Sequence, residues 1–105
     1  MSAILTLSGS AAIAVATARQ RRTDAIWNLA VLPTQKLILL ALSEKADDAD
    51  TCQLTVDYLV NRANVTRMTV FVSLNALERA GLLTRAGRPG SATTYTLTVT
   101  GGARQ

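Results

Sequence analysis

The sequence contains no histidine, and that absence narrows its chemistry at once. Histidine is the commonest general base near neutral pH and the commonest metal ligand. An enzyme built on this chain would have to work with carboxylates or with one thiol. That thiol, Cys52, is the only cysteine, so an intrachain disulfide is excluded. No ligand cluster surrounds it in the sequence. Neither a cofactor, nor a metal, nor an enzymatic activity is expected. Charge is sparse as well, 17% of residues against 49% apolar, which points to a folded globular domain and away from wholesale disorder. No apolar run reaches the roughly 18 residues that a bilayer-spanning helix needs, so no membrane partner is expected. A chain of 105 residues suffices for one domain with a modest core, not for two.

Residues 3–18 are small and apolar and include triplets such as Ala16-Thr17-Ala18. A secretory signal carries its positive charge ahead of the apolar region. Here Arg19, Arg21 and Arg22 follow it, and Gly9-Ser10 interrupts it. A signal is therefore not read, and the cytoplasm is the expected compartment.

The charge that is present is unevenly placed. Residues 1–61 hold five cations against six acids, a net −1, whereas residues 62–105 hold six arginines against Glu78 alone, a net +5. An arginine-rich half in a chain of net charge +4 suits a polyanion such as nucleic acid. The plainer reading is ordinary solubility charge.

Hydrophobic spacing and capping residues divide the chain. Residues 2–8 alternate weakly, as a short strand or a loose arm. Residues 11–22 are alanine-rich and compatible with a helix that offers little to a core. Thr23-Asp24 offers an N-cap for a further short helix holding Ile26, Trp27 and Leu29, and Trp27 reads as core. Leu32, ahead of proline, favours extended geometry. Pro33 suits the first position of a helix over 33–46, apolar without break across residues 37–42 and hence central and buried. The acidic run that follows is a turn-forming loop, and Cys52-Gln53-Leu54 is long enough only for a short strand. Thr55 caps a helix to residue 63, with Asp57 in its first turn. A turn leads to Thr66, the next N-cap.

The stretch from there is ambiguous. Thr69-Val70-Phe71-Val72 is strand-like in composition. A helix over 66–80 nevertheless explains more. It places Val70, Leu74 and Leu77 on one face and puts Gly81 where a left-handed terminating residue belongs. Residues 82–85 then read as a strand and residues 86–92 as a turn rich in glycine. The following "TTYTLTVT" alternates Tyr95, Leu97 and Val99 against Thr94, Thr96, Thr98 and Thr100. The expected fold is mainly α with a small β-hairpin, α+β in class. Residues 1–31 form an N-terminal arm or helical extension, 32–100 the domain, and 101–105 a tail.

Two helices joined by a short turn, the second followed by a hairpin, make a winged helix-turn-helix. The second helix of such a motif fits the major groove, where base edges can be told apart. The stretches Pro33-Thr34-x-Lys36-Leu37-x-Leu39-Leu40-Ala41-Leu42, Thr66-Arg67-x-Thr69-Val70, Leu77-Glu78-x-Ala80-Gly81-Leu82-Leu83 and Tyr95-x-Leu97 together resemble the winged helix domains of bacterial, phage and plasmid DNA-binding proteins. MarR-like regulators and one end of phage and plasmid replication initiators carry such domains. The likeness covers about residues 27–99. It implies double-stranded DNA as partner, with Thr66, Arg67, Met68, Thr69, Phe71, Val72 and Asn75 in the reading region and Arg85 and Arg88 in the wing. A homodimer is expected, with residues 2–31 as its contact, because paired half-sites are usual for such motifs.

The sequence departs from the family at Met68, Phe71 and Val72, where such helices often carry Arg or Lys. On a helical wheel Met68, Val72, Asn75 and Arg79 point away from the core and Phe71 lies on the flank. Met68 and Val72 suit a thymine methyl, or mark a protein interface. Arg67 and Asn75 suit guanine and adenine respectively, or are solvated surface. Arg88 touches phosphate, or merely occupies a polar turn. Thr34 and Lys36 lie near a helix start and can reach phosphate. Three functions follow: a small transcriptional regulator, a protein-interaction module using the apolar patch, and an origin-binding accessory of phage or plasmid replication.

Overall fold

In the computed structural model, which describes residues 10–87 and 92–100, the order is α1 (Ser10–Trp27), α2 (Pro33–Lys45), β1 (Thr51–Leu54), α3 (Val56–Ala63), α4 (Arg67–Arg79), β2 (Leu83–Ala86) and β3 (Thr93–Leu97). The class is α+β, as the sequence pattern predicts, and the arrangement is consistent with a winged helix-like fold. The weak alternation over residues 2–8, the tail 101–105 and Arg88 lie outside the described residues. Among the described residues no helix is long and apolar enough to cross a membrane.

Helix α2 is the axis of the core. Leu32 is extended (φ −64°, ψ 151°), Pro33 stands in the first turn, and the Leu32 N–H donates to Gln35 Oε1 at 3.1 Å, which satisfies a donor the helix leaves free. Ile38, Leu39 and Leu42 are fully buried, and α2 packs on α1, α3, α4 and the sheet. Burying each such side chain contributes about 1.5–3 kcal/mol, so this short apolar run is a main source of stability.

Helix α1 departs from the sequence expectation in three ways. It is continuous from Ser10 to Trp27, so Thr23 and Asp24 lie inside it instead of capping a second helix. The stretch contains no proline or glycine to break it, and Gln20 Nε2 donates to Asp24 Oδ1 one turn on, at 2.9 Å. Second, Trp27 is not core: it is 60% exposed, with Lys36 Nζ 5.6 Å from its ring centroid. Third, the helix does feed the core. Ala18, Arg22 and Ile26, spaced four apart, are all buried, and Ile26 belongs to the same cluster as Leu39 and Leu42. Ile26 thus packs in one cluster with residues of the 32–100 stretch.

Arg22 is the surprise of that face. An isolated buried charge is costly unless its donors are all met. Here Nε donates to Ser43 Oγ (3.2 Å), Nη1 to the Asp47 carbonyl and Asp50 Oδ1 (both 2.9 Å), and Nη2 to the Ser43 and Ala46 carbonyls (3.0 and 3.1 Å). These bonds match the five N–H groups of a guanidinium. The side chain thereby caps the C-terminus of α2, where unpaired carbonyls carry partial negative charge. It also pins the acidic loop, whose Asp47 Oδ1 accepts from the N–H groups of Ala49 (2.9 Å) and Thr51 (3.1 Å).

Helices α3 and α4 begin and end as their capping residues dictate. Thr55 Oγ1 accepts from the Tyr58 N–H and Thr66 Oγ1 from the Thr69 N–H, both at 3.1 Å. Asn64, in left-handed geometry (φ 58°), turns the chain between them. At the far end of α4, Gly81 (φ 78°) donates to the Glu78 carbonyl and Leu82 to the Leu77 carbonyl, both at 3.0 Å. This pairing is a Schellman motif, and burial of Leu77 and Leu82 closes it. The strand-like stretch Thr69-Val70-Phe71-Val72 is helical because both caps and the core face of Val70, Leu74 and Leu77 favour it.

The sheet is larger than a hairpin. Its order is β1-β3-β2, antiparallel throughout. The short strand at Cys52 pairs with the returning strand in the register Cys52↔Tyr95, while Arg85↔Tyr95 pairs on the other side. Tyr95, Leu97 and Val99 are buried as the alternation predicts.

Candidate nucleic-acid interface

The inner face of α4 holds Val70, Ser73, Leu74 and Leu77, all buried. Its opposite face therefore points to solvent, and the side chains there are unusual. Met68 is 70% exposed, Val72 58% and Phe71 42%. Asn75 and Arg79 are exposed along the same stripe, at the one-turn spacings that place them in line with Met68 and Val72. Thr66 is exposed at the N-cap, whereas Thr69 is only half-exposed.

The arginines are less free than their number suggests. Arg67 Nη2 donates to Asp57 Oδ1, from the first turn of α3. Both side chains remain largely exposed, and exposed pairs of this kind are weak and exchange readily for other anions. Arg85, in β2, is held more firmly. Its Nε and Nη2 donate to Glu78 Oε1 (3.1 and 2.7 Å) and Nη2 also to Asn75 Oδ1 (2.7 Å). The pair Arg85–Asn75 thus ties the base of the hairpin to α4. Asn75 keeps its amide N–H groups and one oxygen lone pair for a further partner. Arg62 forms a two-pronged pair with Glu44 (2.9 and 2.7 Å), which holds the Glu44 carboxyl below its ordinary value of 4.5.

Of the residues expected to read DNA, the structure brings Thr66, Met68, Phe71, Val72 and Asn75 onto the exposed side of one helix, with Arg67 at its start and Arg85 against its flank. Arg79 joins them although the sequence reading placed it only as pointing outward; the signal was its position eleven residues after Met68. Lys36 is occupied elsewhere: its Nζ donates to the Trp27 carbonyl at 3.0 Å.

Two other places show different chemistry. A groove of about 220 Å³ between α2 and α3 is lined by Leu37, Leu40, Ala41, Glu44, Arg62 and Ala63 and includes none of the expected reading residues. Cys52 is buried in the sheet, and burial pushes its thiol up to about 11. A thiol in that state is protonated at neutral pH and is a poor nucleophile. Among the described residues no three His, Cys, Asp or Glu side chains gather to hold a metal ion.

No protein-family model matches this chain, and no curated protein matches it. What can be said of its role comes from the helix pair, the exposed face of α4 and the distribution of charge.

Proposed function

We propose that this protein binds double-stranded DNA sequence-specifically, as a small cytoplasmic transcriptional regulator acting as a homodimer. The observation that carries the reading is α4 itself. It is capped at both ends, joined to α3 by a three-residue turn, followed by a β-hairpin, and turns an outer face of exposed side chains to solvent. A helix so mounted fits the major groove, with its N-terminal residues against base edges and the hairpin near the backbone. The net charge of +4 favours approach to a polyanion. Arg67 and Arg79 supply phosphate contacts, the first by exchanging Asp57 for a phosphate oxygen. The same head would serve an origin-binding protein of a phage or plasmid.

The test is a fluorescence-anisotropy titration of the full chain with randomised duplexes across a salt series, followed by selection of the bound sequences. Affinity should fall linearly on a log–log salt plot, and selection should converge on a site, palindromic for a dimer. Arg67→Ala and Arg79→Ala should each lower the salt slope by about one. Unchanged DNA affinity in both variants at moderate salt would sink the assignment of this face.

A second reading has one observation in its favour, the exposed apolar cluster of Met68, Phe71 and Val72. Exposed apolar neighbours often mark a protein interface. Loss of self-association or partner capture in Val72→Glu, with no DNA binding by the native chain, would favour it.

A further inference from the structure

The outer stripe of α4 is chemically specific. At the N-terminal end, where a reading helix meets base edges, the two side chains aimed directly away from the core are Met68 and Val72, with Phe71 beside them. None can donate or accept a strong hydrogen bond. The usual reader of guanine is a free guanidinium that can bond its O6 and N7 together. Here Arg85 is held by Glu78 and Asn75, and Arg67, whose exposed pair with Asp57 is exchangeable, is assigned above to a phosphate. Arg79 makes no ion pair among the described residues, but it lies eleven residues beyond Met68, roughly 16 Å further along the helix axis. It is placed for the backbone, not for the bases under Met68.

We infer that Met68 and Val72 read the C5-methyl group of pyrimidines, so that the protein prefers duplexes in which thymine methyls line the major groove. This rests on the DNA-binding reading above and deepens it. The C5-methyl is the one apolar feature that the major-groove edge of a base pair presents. Unbranched, polarisable Met68 adapts to its position, while β-branched Val72 is stiff and discriminates by shape. The two lie one turn apart, about 6 Å along the axis, which spans roughly two base-pair steps. Charge argues for nucleic acid over a protein as the occupant. Arg67 and Arg79 lie on the same helix as the apolar patch, and the acid on that helix, Glu78, is paired with Arg85. Asn75 adds a polar contact in line with the methyl readers.

A methyl in DNA comes from thymine or from 5-methylcytosine, and the experiment separates them. Randomised duplex pools are made with thymine, with uracil in its place, or with uracil together with 5-methylcytosine, and titrated against the full-length protein. The thymine pool should bind about fourfold more tightly than the uracil pool for each methyl contacted, roughly fifteenfold for two. The variant carrying Met68→Ser and Val72→Ser should lose that difference while keeping the salt slope of the native chain, which separates methyl reading from any change uracil makes in duplex shape. Recovery of affinity with 5-methylcytosine supports methyl reading irrespective of base; no recovery supports it with thymine as the source. Equal, salt-dependent and sequence-selective binding of thymine and uracil pools would overturn this inference while leaving the DNA-binding reading intact. Binding of no pool at low salt would remove both. Insensitivity to the methyl combined with altered self-association of the double variant would overturn it in favour of a protein partner.

Discussion

Helices α1 and α4 each put a side chain on the side of the surface its chemistry disfavours, in opposite directions. In α1 the charged Arg22 is fully buried; in α4 Met68 and Val72 stand in water. The first inversion is resolved inside the molecule. Every N–H of the Arg22 guanidinium has an acceptor: the Ser43 hydroxyl, the Asp50 carboxylate, and the carbonyls of Ser43, Ala46 and Asp47 at the end of α2 and in the loop after it. The second is not resolved among the described residues, none of which covers the outer face of α4. The contrast teaches where to look for function. A misplaced residue whose contacts are complete explains structure, and one whose contacts are missing points outward.

The contrast breaks first at Arg22. Replacing it with methionine fills the volume but removes a donor from the Ser43 hydroxyl and from the carbonyls of Ser43, Ala46 and Asp47, and the cation from Asp50. A loss of about 3–5 kcal/mol is expected, read as the shift of the urea unfolding midpoint. Arg22→Lys should recover only part of it, because an ammonium cannot form the planar fork. A variant as stable as the native chain would show that the buried arginine is incidental.

Next in size is the frame that presents α4. Thr66→Ala removes the acceptor for the Thr69 N–H and should cost about 1 kcal/mol by the same measurement. Smaller still is Met68→Ser. Its side chain touches little of the fold, so stability should stay within about 0.5 kcal/mol of native, while DNA affinity falls. A large loss of stability there would mean that Met68 is a structural residue, and the comparison with Arg22 would collapse. The smallest effect belongs to the surface pair Arg62–Glu44. The depressed pKa of Glu44 means that its contribution is present above the unfolded-state value and is lost as pH falls through the folded one. Glu44→Gln should accordingly lower stability slightly at neutral pH, and the difference from the native chain should close as pH falls through the acid range.

Much of the fold was legible from local chemistry. Pro33, Thr55, Thr66 and Gly81 mark helix ends through backbone geometry and hydrogen bonds a few residues away, and each stands where expected. The alternation of Tyr95, Leu97 and Val99 needed only the two-residue period of a strand. The exposure of Met68 and Val72 followed from the helical period once the core side was known. Errors arose where a residue's partner is far away in the chain. Thr23 looked like a cap, yet no break precedes it. Trp27 looked like core by its size, yet it closes the end of α1 beside Lys36. Nothing in the local sequence marks Arg22 as buried, because the groups that satisfy it lie more than twenty residues later.

Within the candidate site the same division holds. The order of the helices, the outward stripe and its apolar character are properties of short stretches, fixed by spacing and caps. Which arginines are free is not such a property. Arg67 meets Asp57 and Arg85 meets Glu78 and Asn75 only because α3, α4 and β2 converge, and charge counted along the chain cannot register that. The third strand, too, exists only because β1 reaches β3 across the intervening helices. Caps and periodicity act over one helical turn and are written into neighbouring residues. Ion pairing and burial depend on distances in space, which this chain acquires only when it folds.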